Sequence, residues 1–145
     1  MRIYDKAQPF EGGSKMKIEK LRQGSFEILR RIRKDEDGEK YDLELQTVKG
    51  WKSELVVDDI RYPVGIYHLP GFHIWEMFDL RSGMLIRSHH GTKSDLIGYV
   101  LVDERYEDLY RNQIAKKLNW YVEACERFER IRYAKELFPL HGKEL

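Results

Sequence analysis

Tyr41-Asp42-Leu43-Glu44-Leu45-Gln46-Thr47-Val48 is the stretch on which the fold turns. Its residues alternate apolar and polar, which places Tyr41, Leu43, Leu45 and Thr47 on one face of an extended chain. Upstream, the segment 26–33 repeats the pattern, with Phe26, Ile28 and Arg30 on one face and Ile32 in phase. Between the two, Asp35-Glu36-Asp37-Gly38 carries the Asp-Gly step of a tight hairpin. Two alternating runs joined by such a turn predict an antiparallel pair, and Gly50-Trp51 reads as its end. Further runs follow: Leu55–Val57 is a short strand, and Tyr62-Pro63-Val64-Gly65 leads into a strand over Ile66–Leu69. Pro70-Gly71 is a turn. Phe72–Phe78 and Met84–Ser88 are strands flanking the turn Asp79–Gly83, and Ile97–Val102 reads as a last strand because its residues are apolar and β-branched. Six or seven short strands separated by turns predict a small β-barrel or sandwich.

After Asp103 the period changes. Tyr106, Tyr110, Ile114, Leu118, Tyr121, Cys125, Phe128 and Ile131 recur at spacings of three and four, the stripe of an amphipathic helix over about 104–137. Asp103 is its N-cap, Glu104, Glu107 and Asp108 suit its positive end, and Pro139 stops it. One unbroken helix of that length would run about 50 Å. That exceeds a small barrel, so it either breaks near Leu118-Asn119 or projects toward a partner. The plain reading packs its stripe on the sheet; the other gives a homo-oligomer built through the helix.

The chain has 145 residues, which sets an expectation of one domain: an N-terminal arm over 1–20, a β domain over 21–103 and the helix over 104–138. Apolar residues make up 41% and aromatics 12%, enough for a core. Lys plus Arg is 26 and Asp plus Glu 25, a net charge of +1 that argues against nucleic acid as a bulk-charge partner but not against a local patch. Cys125 is the single cysteine, so neither an internal disulfide nor a cysteine-based zinc site can form. No signal-peptide run or membrane-span window is visible, and cytoplasmic residence with no membrane partner is the expectation.

Chemistry-bearing residues gather between His68 and Tyr99. Four of the five histidines, His68, His73, His89 and His90, lie in this region, and His89-His90 precedes Gly91 in a polar stretch. Such a histidine can serve as a general base or a metal ligand. Adjacent strand residues point to opposite faces, so one of the pair at most faces any given site. The plain reading is a loop histidine beside a satisfied, partly buried one. A zinc site from His68, His73 and His89 has no spacing signature, and neither metal nor cofactor is expected. Cys125 falls in the helix stripe, where a buried thiol packs as a small hydrophobe. No phosphate-binding glycine loop, nucleophile elbow or zinc-protease motif is present.

The order Leu43-Glu44, Ile60–Tyr67 with Pro63 and Gly65, Met84–Gly91 with His89, and Gly98–Val102 resembles a small bacterial and phage domain of unknown function related to the L,D-transpeptidase catalytic domain. The resemblance covers about residues 26–110 and leaves the long helix unexplained. It implies a cleft lined by Tyr67, Ser88, His89, His90, Gly91, Gly98 and Tyr99. His89 matches the motif histidine, Gly91 the glycine after it, and Gly98 a tight backbone turn beside the site. In transpeptidases of this kind, a cysteine after that glycine attacks the acyl donor as a thiolate while a histidine takes its proton. Here Tyr99 stands at the cysteine position, and a phenol is a poor acyl acceptor. The arginine that commonly follows is replaced by Leu101 and Val102. The resemblance therefore implies a scaffold without its nucleophile, acting as a binding or structural module for a small ligand or a protein. Two other functions fit the residues: a hydrolase reusing the cleft, with His89 or His90 as base and Tyr99 or Ser88 assisting, and an assembly protein associating through its helix.

Overall fold

The computed structural model describes residues 16–33 and 41–137. Five antiparallel strands follow one another in a single open sheet: β1 Met16–Arg33, β2 Tyr41–Val57, β3 Ile60–His68, β4 Ile74–Asp79 and β5 Leu85–His90. Three helices come after them: α1 Lys93–Val102, α2 Glu104–Leu109 and α3 Asn119–Leu137, with a π-helical turn over Tyr110–Ile114. The chain is mainly β with a helical C-terminal part, as the period change at Asp103 predicts. The strand number and the barrel do not follow the expectation.

Two of the differences are strands that run longer than expected. Leu55–Val57 is the end of a 17-residue β2 that runs straight through Gly50-Trp51. Gly50 does not break the strand because its missing Cβ lets the backbone approach β3: a Cβ there would stand 2.2 Å from the Ile66 carbonyl oxygen. β1 likewise begins at Met16, so the last residues of the expected arm belong to the sheet. The Asp35–Gly38 turn, residues 1–15 and Pro139 lie outside the described residues.

The third difference is Ile97–Val102, which is helix and not strand. Thr92 caps α1: its hydroxyl accepts from the Asp95 N–H at 3.0 Å while the Asp95 carboxylate accepts from the Thr92 N–H at 3.4 Å. This reciprocal capping starts the helix ahead of the β-branched run. Leu96 and Val100, four apart, then drop into the core. Packing on one helical face outweighs the local β preference. The predicted long helix breaks where Leu118 stands, leaving that leucine exposed. Asp103 does cap α2, accepting from the Arg105 N–H at 3.0 Å.

A bulge in β1 decides how the sheet is filled on both sides. Between Glu19 and Arg22 one strand carries an extra residue, with Lys20 at φ 60°. Before it, Met16 and Ile18 face the same side as Leu55 and Val57. After it, Phe26 and Ile28 face the other side, with Val48 and Phe78. The bulge thus splits the core in two. One cluster, from Leu55, Val64, Ile66 and Met77, is covered by α1, the π turn and α3. The other lies under the outer half of the β1–β2 hairpin, where the Phe26 ring rests on Gly65; a Cβ on Gly65 would stand 2.5 Å from that ring. Among the described side chains of the opening stretch, Val48 is accordingly the buried one, and Thr47 is exposed.

The β2–β3 connection is a two-residue turn, Asp58-Asp59, with φ of 53° and 69°. Both values lie in the left-handed region that a primed hairpin turn requires and that aspartate tolerates. At the other end of the sheet, Asp79 ties strands to helices. Its buried carboxylate accepts from the Ser82 hydroxyl at 2.6 Å, the Ser82 N–H at 3.1 Å, the Tyr121 hydroxyl at 2.8 Å and the Tyr110 hydroxyl at 3.4 Å. Phe128 packs beside Gly83, and Arg132 reaches Glu27 of β1 at 2.8 Å, so α3 lies along the sheet.

Asp79→Ala strands two buried phenols and is expected to cost about 2–4 kcal/mol in a urea melt followed by tryptophan fluorescence, with Asp79→Asn milder because it keeps one acceptor oxygen. Burial first, and the Asp79 carboxylate second, push the Tyr110 and Tyr121 hydroxyls well above the usual phenol range. These phenols stay neutral in the folded chain but ionise near pH 10 once unfolded. Their stabilising effect is full below about pH 10 and falls as pH rises above it. The urea midpoint should drop between about pH 10 and 11.5, and Tyr110→Phe/Tyr121→Phe should flatten that drop.

Candidate functional site

Strand register brings together a row of rings on the helix-covered side of the sheet. His68 of β3 lies opposite Trp75 of β4, and Trp75 opposite His89 of β5. Directly paired residues share a face, so the three side chains stand side by side. The His68 and Trp75 rings are 4.9 Å apart. His89 in turn packs on Tyr99 of α1, with ring centroids 4.6 Å apart and planes tilted by 40°. On β2, Trp51 pairs with Ile66, two residues before His68, and faces the same side. The Lys93 ammonium sits 3.5 Å from the Trp51 ring centroid, a cation–π contact from the first turn of α1.

Two charged groups flank the row. The Arg87 guanidinium stands 5.1 Å above the Tyr99 ring, donates to the Tyr106 hydroxyl at 3.3 Å and lies 3.9 Å from the Asp103 carboxylate. Its buried Nε has no hydrogen-bond partner among the described residues. Asp103 is held at about 2 by side-chain and backbone hydrogen bonds from Arg105. The row continues outward into a groove of about 520 Å³, lined by Gln23, Ser25, Lys49, Trp51, His68 and Trp75 with the Gly24 and Gly50 backbones between them. Gln23 pairs with Trp51 and Ser25 with Lys49, so the four side chains share one face of the long hairpin.

Of the residues implied by the sequence resemblance, His89 and Tyr99 come together with the Gly91 backbone beside the His89 ring, and Tyr67, Ser88, His90 and Gly98 do not join them. Tyr67 packs with Phe26 and Phe78 on the opposite face of the sheet. Ser88 and His90 alternate with His89 along β5 and point to that opposite side too. Ser88 pairs with the buried Glu76, which Arg30 engages at 2.9 Å. Gly91 forms the turn into α1 at φ 128°, where a Cβ would meet the Asp95 carboxylate at 2.9 Å. Gly98 lies within α1 and makes no tight turn; a Cβ there meets nothing within 4 Å. Tyr99 is half exposed on that helix, so no strand presents a nucleophile at this place.

A histidine set for zinc is not assembled either. His68 and His89 are separated by the Trp75 strand, and among the described residues no group of three or more His, Cys, Asp or Glu side chains could hold a metal ion. Cys125 lies on α3 against the helix-side core, where burial pushes its thiol up. No described helix is long and apolar enough to cross a membrane.

Sequence reading did not single out Trp51, Trp75, Arg87 or Lys93. Trp75 was not within reach: counting outward from the Pro70-Gly71 turn places His73 opposite His68, whereas the connection is longer and the strands pair Trp75 with it. Nor was the Lys93–Trp51 contact, because it depends on α1 being a helix.

No protein-family model, curated protein or solved structure matches this chain.

Cysteine acyl transfer would leave a trace that is easy to look for. Incubation with a β-lactam is expected to leave the intact mass unchanged, and a covalent adduct on Cys125 or Tyr99 would refute that expectation.

Proposed function

We propose that this protein is a binding module without covalent chemistry of its own, and that its ligand lies in the groove floored by Trp51, His68 and Trp75. The observation that carries the reading is the continuous row His68–Trp75–His89–Tyr99, which runs from the groove onto α1. Rings aligned at one sheet edge and open to a groove of this size offer a large contact area for a ring-bearing ligand at little entropic cost. Gln23, Ser25 and Lys49 supply polar groups at its rim.

The hydrolase reading has less support. His89 meets Tyr99 through tilted rings, while Ser88 and His90 lie across the sheet, so among these residues no base is hydrogen-bonded to an oxygen nucleophile. The scaffold relation to L,D-transpeptidases leads to the same class of protein, a binding module that has lost its nucleophile, and it remains a proposal of ancestry. The helix at Gly98–Val102 removes the strand on which that relation would have placed the nucleophile. Association through α3 has less apolar surface to work with, since Tyr121, Ala124 and Phe128 face the sheet.

An NMR screen of the folded chain against small aromatic compounds, short sugars and nucleotides checks the reading. Amide shifts are expected to concentrate at Gly50, Trp51, His68, Trp75 and His89, and Trp75→Ala should weaken them by about tenfold or more. Shifts confined to other surfaces, or no shifts with any of the three classes, would sink it.

A further inference from the structure

We infer that the ligand of this groove is a nucleotide chain, a short single-stranded stretch whose bases stack on the ring row and whose phosphates meet Lys49 and Lys93. The inference rests on the groove being the binding site and names the substance it takes.

The rings run across three strands and onto a helix. At about 4.8 Å between strands the row spans about 15 Å. That length suits two or three stacked bases, the number that sheet-borne aromatic residues commonly hold. Base stacking tolerates any sequence because each base has a π-face.

Charge then separates a nucleotide chain from a neutral ring ligand. The whole chain carries only +1, but the groove lining holds Lys49 and no carboxylate. Lys93 brings a second ammonium onto the Trp51 ring. Neither lysine has a carboxylate partner among the described residues. Arg61, by contrast, pairs with Glu19 and Glu54, Arg105 with Asp103, and Arg111 with Asp58 and Glu107, while Lys52, Lys116, Lys117 and Lys135, away from the rings, also have no carboxylate partner among the described residues. Lysines without acidic partners beside stacked rings form the pairing that single-stranded nucleic acid requires, an electrostatic track next to an aromatic platform. His68 and His89 add donors on the same face as the lysines. A neutral sugar would use the rings and leave both ammonium groups without a counter-charge. Duplex DNA would not fit, because its bases are not free to stack on the sheet.

The test is fluorescence anisotropy of a labelled 12-nucleotide thymidine strand titrated with the full chain, from about 20 to 200 mM salt. Binding is expected at low salt and should weaken as salt rises, with a log–log slope near −1.4 for two phosphate contacts. Lys49→Gln/Lys93→Gln exchanges two surface side chains, keeps the fold and should bring that slope close to zero. Trp75→Phe should retain most of the affinity, and Trp75→Ala should lose about tenfold. The same strand annealed into a duplex should bind at least tenfold more weakly. Absence of binding at low salt by the folded chain overturns the inference, as does binding that the double lysine variant leaves unchanged. If a short neutral sugar shifts the groove amides in the NMR screen while the oligonucleotide does not bind, the nucleotide assignment fails and the groove stands as the binding site. If neither acts there, both fail.

Discussion

A single carboxylate, that of Asp79, holds the strands and the helices in one body. It sits at the end of β4, buried, and receives hydrogen bonds from Ser82 in the following turn and from tyrosines on two separate helical segments. A buried acceptor with four donors fixes geometry more sharply than apolar contact does, since each donor must point at one oxygen atom. Tyr110 enters from the π turn, and Tyr121 from the first turn of α3. Their shared acceptor explains why the helical stripe breaks between them yet both parts face the sheet. Tyr110 and Ile114 of the π turn both reach the core, and Lys117, at φ 55°, interrupts the helical run before α3 begins.

With the helices held in this way, the helix-side face of the sheet is covered only in part. Leu96, Val100, Tyr110 and Ile114 fill the middle over Leu55, Val64 and Met77. Toward the end of β3 and β5 the cover runs out, and large rings stand there where the core would otherwise meet water. Trp51 and Trp75 belong to both regions: each is packed against the core cluster, and each lines the groove. Such residues close the core at little cost while keeping a surface open to a ligand.

The bulge at Lys20 matters for the same reason. Without the extra residue, Phe26 and Ile28 would turn to the helix-side face that Gln23 and Ser25 now occupy, and the outer hairpin would put its apolar side where the groove now lies. The bulge turns them under the sheet onto Gly65. That leaves Gln23, Ser25 and Lys49 beside Trp51. One left-handed residue in β1 thereby separates a packing face from the face that lines the groove.

Much of this was legible in the sequence. Alternation marked the strands, the 3–4 spacing marked Tyr110, Ile114, Tyr121 and Phe128 as one packed stripe, and Asp103 announced a helix start. Those signals are local, because the strand and helix periods are properties of the backbone itself. The helix at Lys93–Val102 was also written locally, in Thr92 and Asp95, but its β-branched residues pointed the other way and only packing of Leu96 and Val100 settled it. What the sequence could not supply depends on which residues meet across distance. The continuity of β2 through Gly50 rests on the Ile66 carbonyl beside it. The Asp79 hub needs two tyrosines 31 and 42 residues away. The pairing of His89 with Tyr99, but not with His90, Ser88 or Tyr67, follows from strand parity combined with the position of α1. Sequence determined most of the strands and the helical stripe after Asp103; tertiary structure decided the state of Ile97–Val102 and which side chains share a face, because register and helix placement are fixed only when the two cores close.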